Sequence, residues 1–389
     1  MTQPVLGILT LYLNDNGALE EKDIYAKMTA AGQQIGLDLF VFTPDDVDFK
    51  KNKINALFYH TDTHKWTRKW TSFPHMIYDR CRIQKSPRFE KLREFRKKYG
   101  QLTFLNRPLR NKWTVHKTLQ QDERFKSYLP AAKLAESAQD VAEMLQKYPL
   151  LYVKPINGTG GRGILRIERK KGGRLLLQGR DQARRIITPA YITHSELASF
   201  LRNWNIGNVK HIVQQGLQLK LPNGRVHDYR MLVQKDRTGK WQVTGCAGRM
   251  GPARSVTSNL HGGGHAIGMT ELLNMWVGED KADAVKADAE SFGVAVAQYL
   301  EKSFGRLCEL ALDLAIDRKG RVWLLEVNPK PAREVFRQAG EMDTYRNSIL
   351  RPLEYALWVN EQKKIRKAAG KTAAASASFS KAAPNLEIG

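Results

Sequence analysis

Short apolar runs alternate with amphipathic stretches along the first hundred residues. Residues 22–36 carry apolar positions at helical spacing. Apolar runs of strand length lie at 5–12, 37–43, 56–59 and 76–78. This alternation is typical of βαβ units, whose strands form a parallel sheet. The pattern predicts an α/β domain over residues 1–104, and the basic, turn-rich segment 85–110 contains its boundary near residue 105.

The pattern changes after this boundary. Ser137 and Asp140 have capping-box spacing at the start of a helix predicted over 137–148. Short strand-like runs separated by Gly, Pro and Asn lie at 150–154, 164–168, 174–178, 212–219, 228–234 and 241–245, with one helix starting at Ser195. A helix over 281–302, a strand pair at 310–317 and 321–327, and a helix over 334–362 follow. Mainly antiparallel strands with separate helices predict an α+β fold over residues 105–360.

The chain is strongly basic. Its 63 Lys and Arg against 39 Asp and Glu give a formal net charge of +24, which favours an acidic or phosphorylated partner. Residues 361–389 carry lysines among alanines and serines with little to bury, so we expect a disordered basic tail. The aromatic and basic stretch 65–70 sustains a nucleic-acid alternative, but tryptophans packed between domains are the favoured interpretation.

Cysteine spacing and hydropathy limit the location of the chain. Cys81, Cys246 and Cys308 lie far apart, so the sequence offers neither a disulfide framework nor a four-cysteine zinc site. This favours the reducing cytoplasm. No uncharged apolar run approaches the roughly 20 residues of a membrane helix, so we expect no membrane insertion.

A glycine-rich segment separates two of the predicted strands. Gly158, Gly160 and Gly163 match a dinucleotide-binding fingerprint, but that motif requires a following helix, and the next residues alternate like a strand. The P-loop pattern is absent. A glycine loop preceded by Lys154 can surround a polyphosphate with backbone N–H groups and an ammonium. An ordinary glycine-rich hairpin is an equally good interpretation of this segment alone.

A second hairpin carries conspicuous polar residues. If Arg318 and Lys319 form a two-residue turn, Asp313 lies opposite Leu324, and strand alternation puts Asp313, Glu326 and Asn328 on one face. Hard oxygen donors of this kind suit Mg²⁺ shared with substrate phosphates. The alternative is a solvated polar face, although acids within a strand apolar enough to be buried usually have a functional reason.

Together, these two segments resemble the ATP-grasp superfamily, and over its whole length the chain resembles the YheC/YheD group of endospore coat-associated ATP-grasp proteins. Residues 74–80, in the front domain, are similar to that group's own signature. The resemblance implies an α+β ATP-grasp fold, with two subdomains gripping ATP, preceded by an α/β pre-ATP-grasp domain. It also implies ATP and Mg²⁺ as cofactors.

The resemblance assigns roles to individual residues. Catalytic roles fall to Arg230, facing the transferred phosphate or substrate carboxylate, and to Asn259 of an active-site loop. The implied Mg²⁺ ligands are Asp313, Glu326 and Asn328. Thr257 stands where relatives often have an arginine, with Arg249 and Arg254 as candidate substitutes. The implied nucleotide contacts are Lys112, Lys154, Gly158, Gly160, Gly161 and Gly163, together with Gln214, Gln215 and Leu217 of a hinge strand whose backbone binds adenine and Asp228 on the ribose side.

The implied activity is ATP-dependent ligation of a carboxylate to an amine through an acylphosphate, with small-molecule or peptide substrates. A glycine loop closed over the site would protect such an intermediate from water. The resemblance implies a cytoplasmic protein associated with sporulation and the spore coat. The alternative is a non-catalytic ATP-grasp scaffold that binds acidic coat proteins through its basic surface. Nucleic-acid binding rests on charge alone and is not favoured.

Overall fold

The computed structural model describes residues 3–82, 86–109, 111–158, 161–253, 255–258, 260 and 263–380. The chain divides into two compact units. The first unit comprises Met1–Asn106, Lys235–Lys240 and Ile349–Gly389, and the second comprises Arg107–Gln234 and Trp241–Ser348. Among the described helices, none has the length and apolar character needed to cross a membrane.

The first unit is built on a six-stranded sheet. Its elements are β1 (Val5–Leu9), α1 (Lys22–Gln34), β2 (Asp38–Phe42), β3 (Val47–Asp48), β4 (Lys53–His60), β5 (Lys65–Thr71), β6 (Met76–Asp79) and α2 (Pro87–Lys98). The strand order is β3-β4-β2-β1-β6, with β5 beside β4. β1 is parallel to β2 and β6, whereas β4 is antiparallel to β2, β3 and β5. The predicted parallel sheet is therefore mixed.

Two segments of this unit differ from the sequence predictions. The segment expected to be turn-rich contains α2, which buries Leu92 and Phe95. The many Lys and Arg residues of this segment made its composition resemble that of a turn region, so the apolar positions of the helix were not recognised. The aromatic and basic stretch forms β5, where Trp70 is 54% exposed. The expectation that both tryptophans are packed away is thus wrong for Trp70.

The first half of the second unit is an antiparallel sheet with helices. Its elements are α3 (Lys112–Gln120), α4 (Glu123–Lys126), β7 (Ala132–Ala135), α5 (Ala138–Lys147), β8 (Leu150–Pro155), β9 (Ile164–Arg169), β10 (Leu175–Arg180), β11 (Ala190–Ile192), α6 (His194–Asn203) and β12 (His211–Gln215). The strand order is β11-β10-β9-β8-β12-β7. Ser137 and Asp140 form the predicted capping box at the start of α5.

A second antiparallel sheet completes this unit. The remaining elements of the chain are β13 (His227–Lys235), β14 (Trp241–Met250), β15 (His265–Gly268), α7 (Met269–Val277), α8 (Glu279–Phe304), β16 (Glu309–Ile316), β17 (Val322–Asn328), α9 (Glu334–Gln338) and α10 (Met342–Ser380). From Ile349 onward, α10 belongs to the first unit. The strand order is β15-β14-β13-β16-β17. α8 packs its Ala289, Phe292 and Val296 into the core of this sheet. Separate sheets and helices confirm the predicted α+β class.

The C-terminal helix is longer than the sequence analysis expects. We predicted a disordered tail from residue 361, whereas α10 continues to Ser380. Alanine has the highest helix propensity, and residues 361–380 are rich in it, which favours continued backbone hydrogen bonding.

A buried ion pair fixes the segment that follows β17. Arg333 donates to Glu309 Oε2 over 2.7 Å, and the two side chains are 1% and 0% exposed. Gln234 Nε2 also donates to Glu309 Oε2, at 3.0 Å. Arg333 Nε donates to the Ser348 carbonyl at 2.9 Å. Because Glu309 begins β16 and Arg333 lies just beyond β17, this pair holds together the hairpin that carries the candidate site.

We predict that Arg333→Met lowers the free energy of unfolding by about 3–5 kcal/mol, because it leaves the buried Glu309 carboxylate without its cation. The control is Arg337→Met, which removes an exposed arginine paired with Glu334 and should cost at most about 1 kcal/mol. Urea unfolding of both variants measures the difference. Equal losses would contradict a structural role for the buried pair.

Candidate functional site

The first lysine of the site begins a helix. The Asn111 side chain accepts a hydrogen bond from Thr114 N at 3.0 Å and caps α3, which makes Lys112 its first residue. Asn is among the best N-cap residues because its short side chain satisfies a free helical N–H group. The Lys112 ammonium lies 3.1 Å from Glu326 Oε2. The cap therefore brings Lys112 to the hairpin of β16 and β17.

The second lysine projects from β8 between polar acceptors. Lys154 Nζ donates to Gln214 Oε1 at 2.8 Å and to the Leu325 carbonyl at 3.2 Å. Burial lowers the pKa of Lys154 from its usual 10.5 to about 8, opposed by the nearby Glu326 carboxylate and assisted by the positive charge of Lys112. The folded protein thus keeps a lysine beside the hairpin although burial disfavours its charged form, which is typical of sites for anionic ligands.

The three predicted metal ligands share one face of the hairpin, although the predicted register is wrong. Leu314, not Asp313, lies opposite Leu324, and a bulge then brings Asp313 directly opposite Glu326. The turn is wider than expected, because Asp317 N donates to the Arg321 carbonyl and Gly320 adopts a φ of +87°. Asn328, two residues after Glu326, places its Nδ2 3.4 Å from Asp313 Oδ2.

Two arginines surround Asp313. Arg230, opposite Asp313 in the β13–β16 register, donates from Nε to Oδ1 at 2.5 Å and from Nη2 to Oδ2 at 3.1 Å. Arg249 Nη2 lies 3.2 Å from Asp313 Oδ2 and donates to Asp228 Oδ2 at 2.5 Å. Burial alone would raise the pKa of Asp313, but these two guanidinium groups hold it down at about 2. The Asp313 carboxylate is therefore ionised at neutral pH.

Arg249 is the residue that the sequence analysis named only as a candidate substitute for a missing arginine. It is 5% exposed and bridges Asp228 and Asp313, whose negative charges raise its pKa against the effect of burial. Asp228 consequently faces a guanidinium. Its predicted contact with the ribose would compete with this ion pair.

A cavity lies beside the two lysines, between β8 and β12 on one side and β17 on the other. Its apolar lining comes from both sheets and α3, with an empty volume of about 430 Å³, open solvent included. The lining residues are Lys112, Val115, His116, Leu119, Leu129, Ala132, Lys154, Ile212, Gln214, Leu324, Leu325, Glu326 and Val327. An apolar cavity that ends in cations has the chemistry expected of a nucleotide site.

His116 is a cavity residue that the sequence analysis missed. Its ring stacks on Trp113 with centroids 5.7 Å apart, and its buried Nε2 has no partner within the described residues. Burial, reinforced by the charges of Lys154 and Lys117, lowers the pKa of His116 to about 4, so the ring is neutral. The available signal was its position four residues after Lys112, on the same side of α3.

The segment after β12 contains the predicted hinge. Gln215 N and Gly216 N donate to the carbonyls of Ala131 and Leu150, at 2.8 and 2.7 Å. A Cβ at Gly216 would lie 2.3 Å from Leu150 Cγ, so this close approach requires glycine. In the described part of the chain, the backbone of Leu217 makes no such hydrogen bond. Of the predicted hinge contacts, Leu217 is therefore the position with free backbone groups, whereas Gln214 binds Lys154.

The glycine-rich loop joins β8 to β9, and the strand that follows confirms that it is not a dinucleotide fingerprint. Gly163 has a φ of +64°, and a Cβ there would lie 2.4 Å from the Gln182 amide. Gly158 and Gly161 lie in the same connection. The predicted contacts Gly160 and Asn259 fall outside the described residues, as does Arg254.

The donor set fits a magnesium ion. Asp313, Glu326 and Asn328 offer two carboxylates and an amide oxygen on one face, which are the hard ligands that Mg²⁺ prefers. No cluster of three or more His, Cys, Asp and Glu side chains is found in the described ranges. An amide oxygen of Asn328 would complete a set of three protein ligands with the two carboxylates.

Comparison with known proteins identifies the family. The family model described as YheC/D like ATP-grasp matches residues 101–359, which is more than half of the chain. The chain belongs to this YheC/D-like ATP-grasp family, and the resemblance stated from the sequence is confirmed.

The curated relatives cover most of the chain. The "endospore coat-associated protein YheD" of Bacillus subtilis (strain 168) is 28% identical over 377 residues, which is 92% of this chain and 79% of that protein. The "endospore coat-associated protein YheC" of the same strain is 28% identical over 337 residues, covering 84% of this chain and 90% of its own.

Solved structures share the fold at low sequence identity. The D-cycloserine synthetase DcsG has a TM-score of 0.54 and 12% identity, with 92% of this chain and 99% of that chain covered. The macrocyclase MdnC from Microcystis aeruginosa MRC, bound to its precursor peptide MdnA, has a TM-score of 0.50 and 12% identity, with 89% and 99% covered. These likenesses confirm the predicted ATP-grasp fold.

The low pKa of Lys154 has a measurable effect on stability. Between pH 8 and 10.5 the unfolded chain binds a proton at Lys154 that the folded protein does not. The wild type should therefore gain stability relative to Lys154→Met across this interval as pH rises, by up to about 1.4 kcal/mol per pH unit. Chemical unfolding at several pH values measures this change. A pH-independent difference would contradict the shifted pKa.

Proposed function

We propose that this protein is an ATP- and Mg²⁺-dependent carboxylate–amine ligase. The observation that carries the proposal is a row of charges across three neighbouring strands and one helix. Arg230 lies opposite Asp313, Asp313 lies opposite Glu326, and Glu326 pairs with Lys112. Two carboxylates on adjacent strands repel each other unless cations compensate them. A row with negative charge at its centre and positive charge at both ends suits a metal–polyphosphate ligand.

Each group in the row has a role in this proposal. Asp313, Glu326 and Asn328 would hold Mg²⁺, while Lys112 and Lys154 would neutralise phosphate oxygens. Lys112 would then exchange Glu326 for phosphate, which the short contact between them makes a local movement. Arg230 would exchange Asp313 for the transferred phosphoryl group or for the substrate carboxylate.

The nucleobase would lie in the apolar cavity. Its walls come from Ile212, Leu324 and neighbouring apolar residues, which exclude water from the ring faces. The free backbone groups of Leu217 and the unpartnered His116 Nε2 are candidate hydrogen-bonding partners for the polar edge. Glycines at 158, 160, 161 and 163 would let the loop between β8 and β9 approach the phosphates closely.

When bound, MgATP would supply the phosphoryl group that activates a carboxylate as an acylphosphate, which an amine then attacks with release of phosphate. The chain's own contribution is to hold the anions in line, neutralise their charge and exclude water. We propose Asn259, which lies outside the described residues, as a further catalytic contact on the basis of the family resemblance. The substrates would be small molecules or peptides, and the site of action the cytoplasm or the spore coat.

One observation favours a second candidate, a non-catalytic ATP-grasp scaffold. Asp313 is already engaged by two guanidinium groups, so part of the candidate metal site is stable without metal. The relatives are named as coat-associated proteins, and the charge of +24 would favour acidic coat partners. In this alternative, bound nucleotide would serve structure only.

Calorimetric titration of ATP tests the nucleotide site. We expect micromolar binding that requires Mg²⁺ and that Lys154→Ala weakens at least about tenfold, because a charge-assisted hydrogen bond to phosphate is lost. Lys147→Ala, which removes an exposed lysine of α5, is the matched control and should bind like the wild type. Failure of the wild type to bind ATP would refute the ligase proposal.

ADP formation separates the ligase from the scaffold. Incubation with MgATP, candidate carboxylates and amines should release ADP from the wild type, and Glu326→Gln should reduce the rate by at least about 100-fold, because a metal ligand is lost. Thermal unfolding checks that this variant is folded. ADP release that is absent with every substrate pair while ATP still binds would favour the scaffold. Equal ADP release by the two proteins would contradict the role of Glu326 as a metal ligand.

A further inference from the structure

At the end of β10 lies a buried arginine that has no acidic partner among the described residues. Arg180 is 4% exposed, and its Nε is buried without a hydrogen-bond acceptor in the described part of the chain. Its side chain donates from Nη2 to the Ser255 hydroxyl at 3.2 Å. A buried guanidinium normally has a carboxylate partner, because the cost of desolvating its charge is otherwise uncompensated.

A second arginine adds to this positive charge. Arg184 follows four residues later with a φ of +68°, which is uncommon for a residue other than glycine. Its Nε is likewise buried without a partner among the described residues. Burial, with a further contribution from the charge of Arg184, lowers the pKa of Arg180. Arg180 and Arg184 thus both contribute positive charge to this region.

The acidic residue nearest to Arg180 in the sequence, Asp181, is hydrogen-bonded to other groups. Asp181 Oδ2 accepts from Arg185 Nε at 2.7 Å, and its Oδ1 accepts from the backbone N–H groups of Ala183 and Arg185 at 2.8 and 2.9 Å. These bonds close the turn that forces Arg184 into its unusual backbone conformation. Asp181 therefore shapes the arginine pair without neutralising Arg180.

The arginine pair is adjacent to two segments of the candidate site. Arg180 lies opposite Ile164 in the β9–β10 register, and Gly163, the last glycine of the loop, donates to the Asp181 carbonyl at 3.1 Å. On the other side, Ser255 begins the described segment 255–258, which Tyr152 also contacts through the Val256 carbonyl at 3.2 Å. An anion at Arg180 would therefore lie between the glycine loop and this segment.

We infer that Arg180 and Arg184 form an oxyanion site for a phosphate or carboxylate group, beside the Ser255 hydroxyl that accepts from Arg180. This inference rests on the proposed ligase function. It extends that function because Arg180 and Arg184 do not belong to the row of Lys112, Glu326, Asp313 and Arg230. Two sources share this chemistry: the terminal phosphate of the nucleotide and an anionic group of the second substrate. In either case Arg180 is a substrate-binding residue that the ATP-grasp resemblance did not assign.

Calorimetric titration of inorganic phosphate tests the site. Phosphate should bind the nucleotide-free wild type, and Arg180→Gln should weaken binding at least about tenfold, since a buried charge-assisted contact is lost. Arg180→Lys keeps the charge without the planar fork and should bind with intermediate affinity. Arg169→Gln, an exposed arginine on β9, makes the same charge change and should bind like the wild type. Thermal unfolding verifies that each variant is folded.

Two further titrations separate the sources and keep the two proposals distinguishable. A non-hydrolysable ATP analogue that loses affinity in Arg180→Gln, while MgADP binds unchanged, assigns the site to the terminal phosphate. If the analogue binds unchanged but phosphate no longer binds the analogue-loaded variant, the site belongs to the second substrate. Equal binding of phosphate and analogue by wild type and Arg180→Gln would overturn the inference. Absence of MgADP binding in the wild type would instead refute the ligase proposal and leave the phosphate test in force.

Discussion

The candidate site depends on the balance of charge around two carboxylates that face each other on adjacent strands. Asp313 and Glu326 are directly opposite in the β16–β17 register, where like charges destabilise a sheet. Arg230 and Arg249 neutralise Asp313 from one side, and Lys112 neutralises Glu326 from the other. Each cation comes from a different element, so the arrangement requires β13, β14 and the start of α3 to be placed around one hairpin.

Local contacts hold these elements in place around the hairpin. The Asn111 cap sets where α3 begins, and the buried Glu309–Arg333 pair anchors both ends of the β16–β17 hairpin. The bulge after Asp313 aligns the two carboxylates. A metal–nucleotide ligand would replace ion pairs within the protein by similar ion pairs between the protein and the ligand. Binding can therefore proceed by exchange of side-chain partners, without a rearrangement of the backbone.

The acidic face of the site could be predicted from the sequence, whereas the contacts of its cationic partners could not. Period-two alternation places Glu326 and Asn328 on one face whatever the turn length, but the wider turn and the bulge, which set the position of Asp313, depend on local backbone conformation. The Arg230–Asp313 contact joins residues 83 positions apart, so no local pattern predicts it. Lys112 was found only through the family resemblance, whereas Lys154 was also indicated by its position before the glycine loop. His116 was missed because one histidine on a helix carries no pattern of its own.

The cations of this protein differ in whether they have carboxylate partners. Lys112, Arg230 and Arg249 have such partners, whereas Arg180 has none among the described residues.

The most direct test of the central claim is a crystal structure with Mg²⁺ and a nucleotide. Our account predicts metal–oxygen distances of about 2.0–2.1 Å to Asp313 or Glu326, with the Lys112 ammonium moved from Glu326 to a phosphate oxygen. Nucleotide bound with the Lys112–Glu326 and Arg230–Asp313 pairs intact, and with no metal on the hairpin, would contradict it.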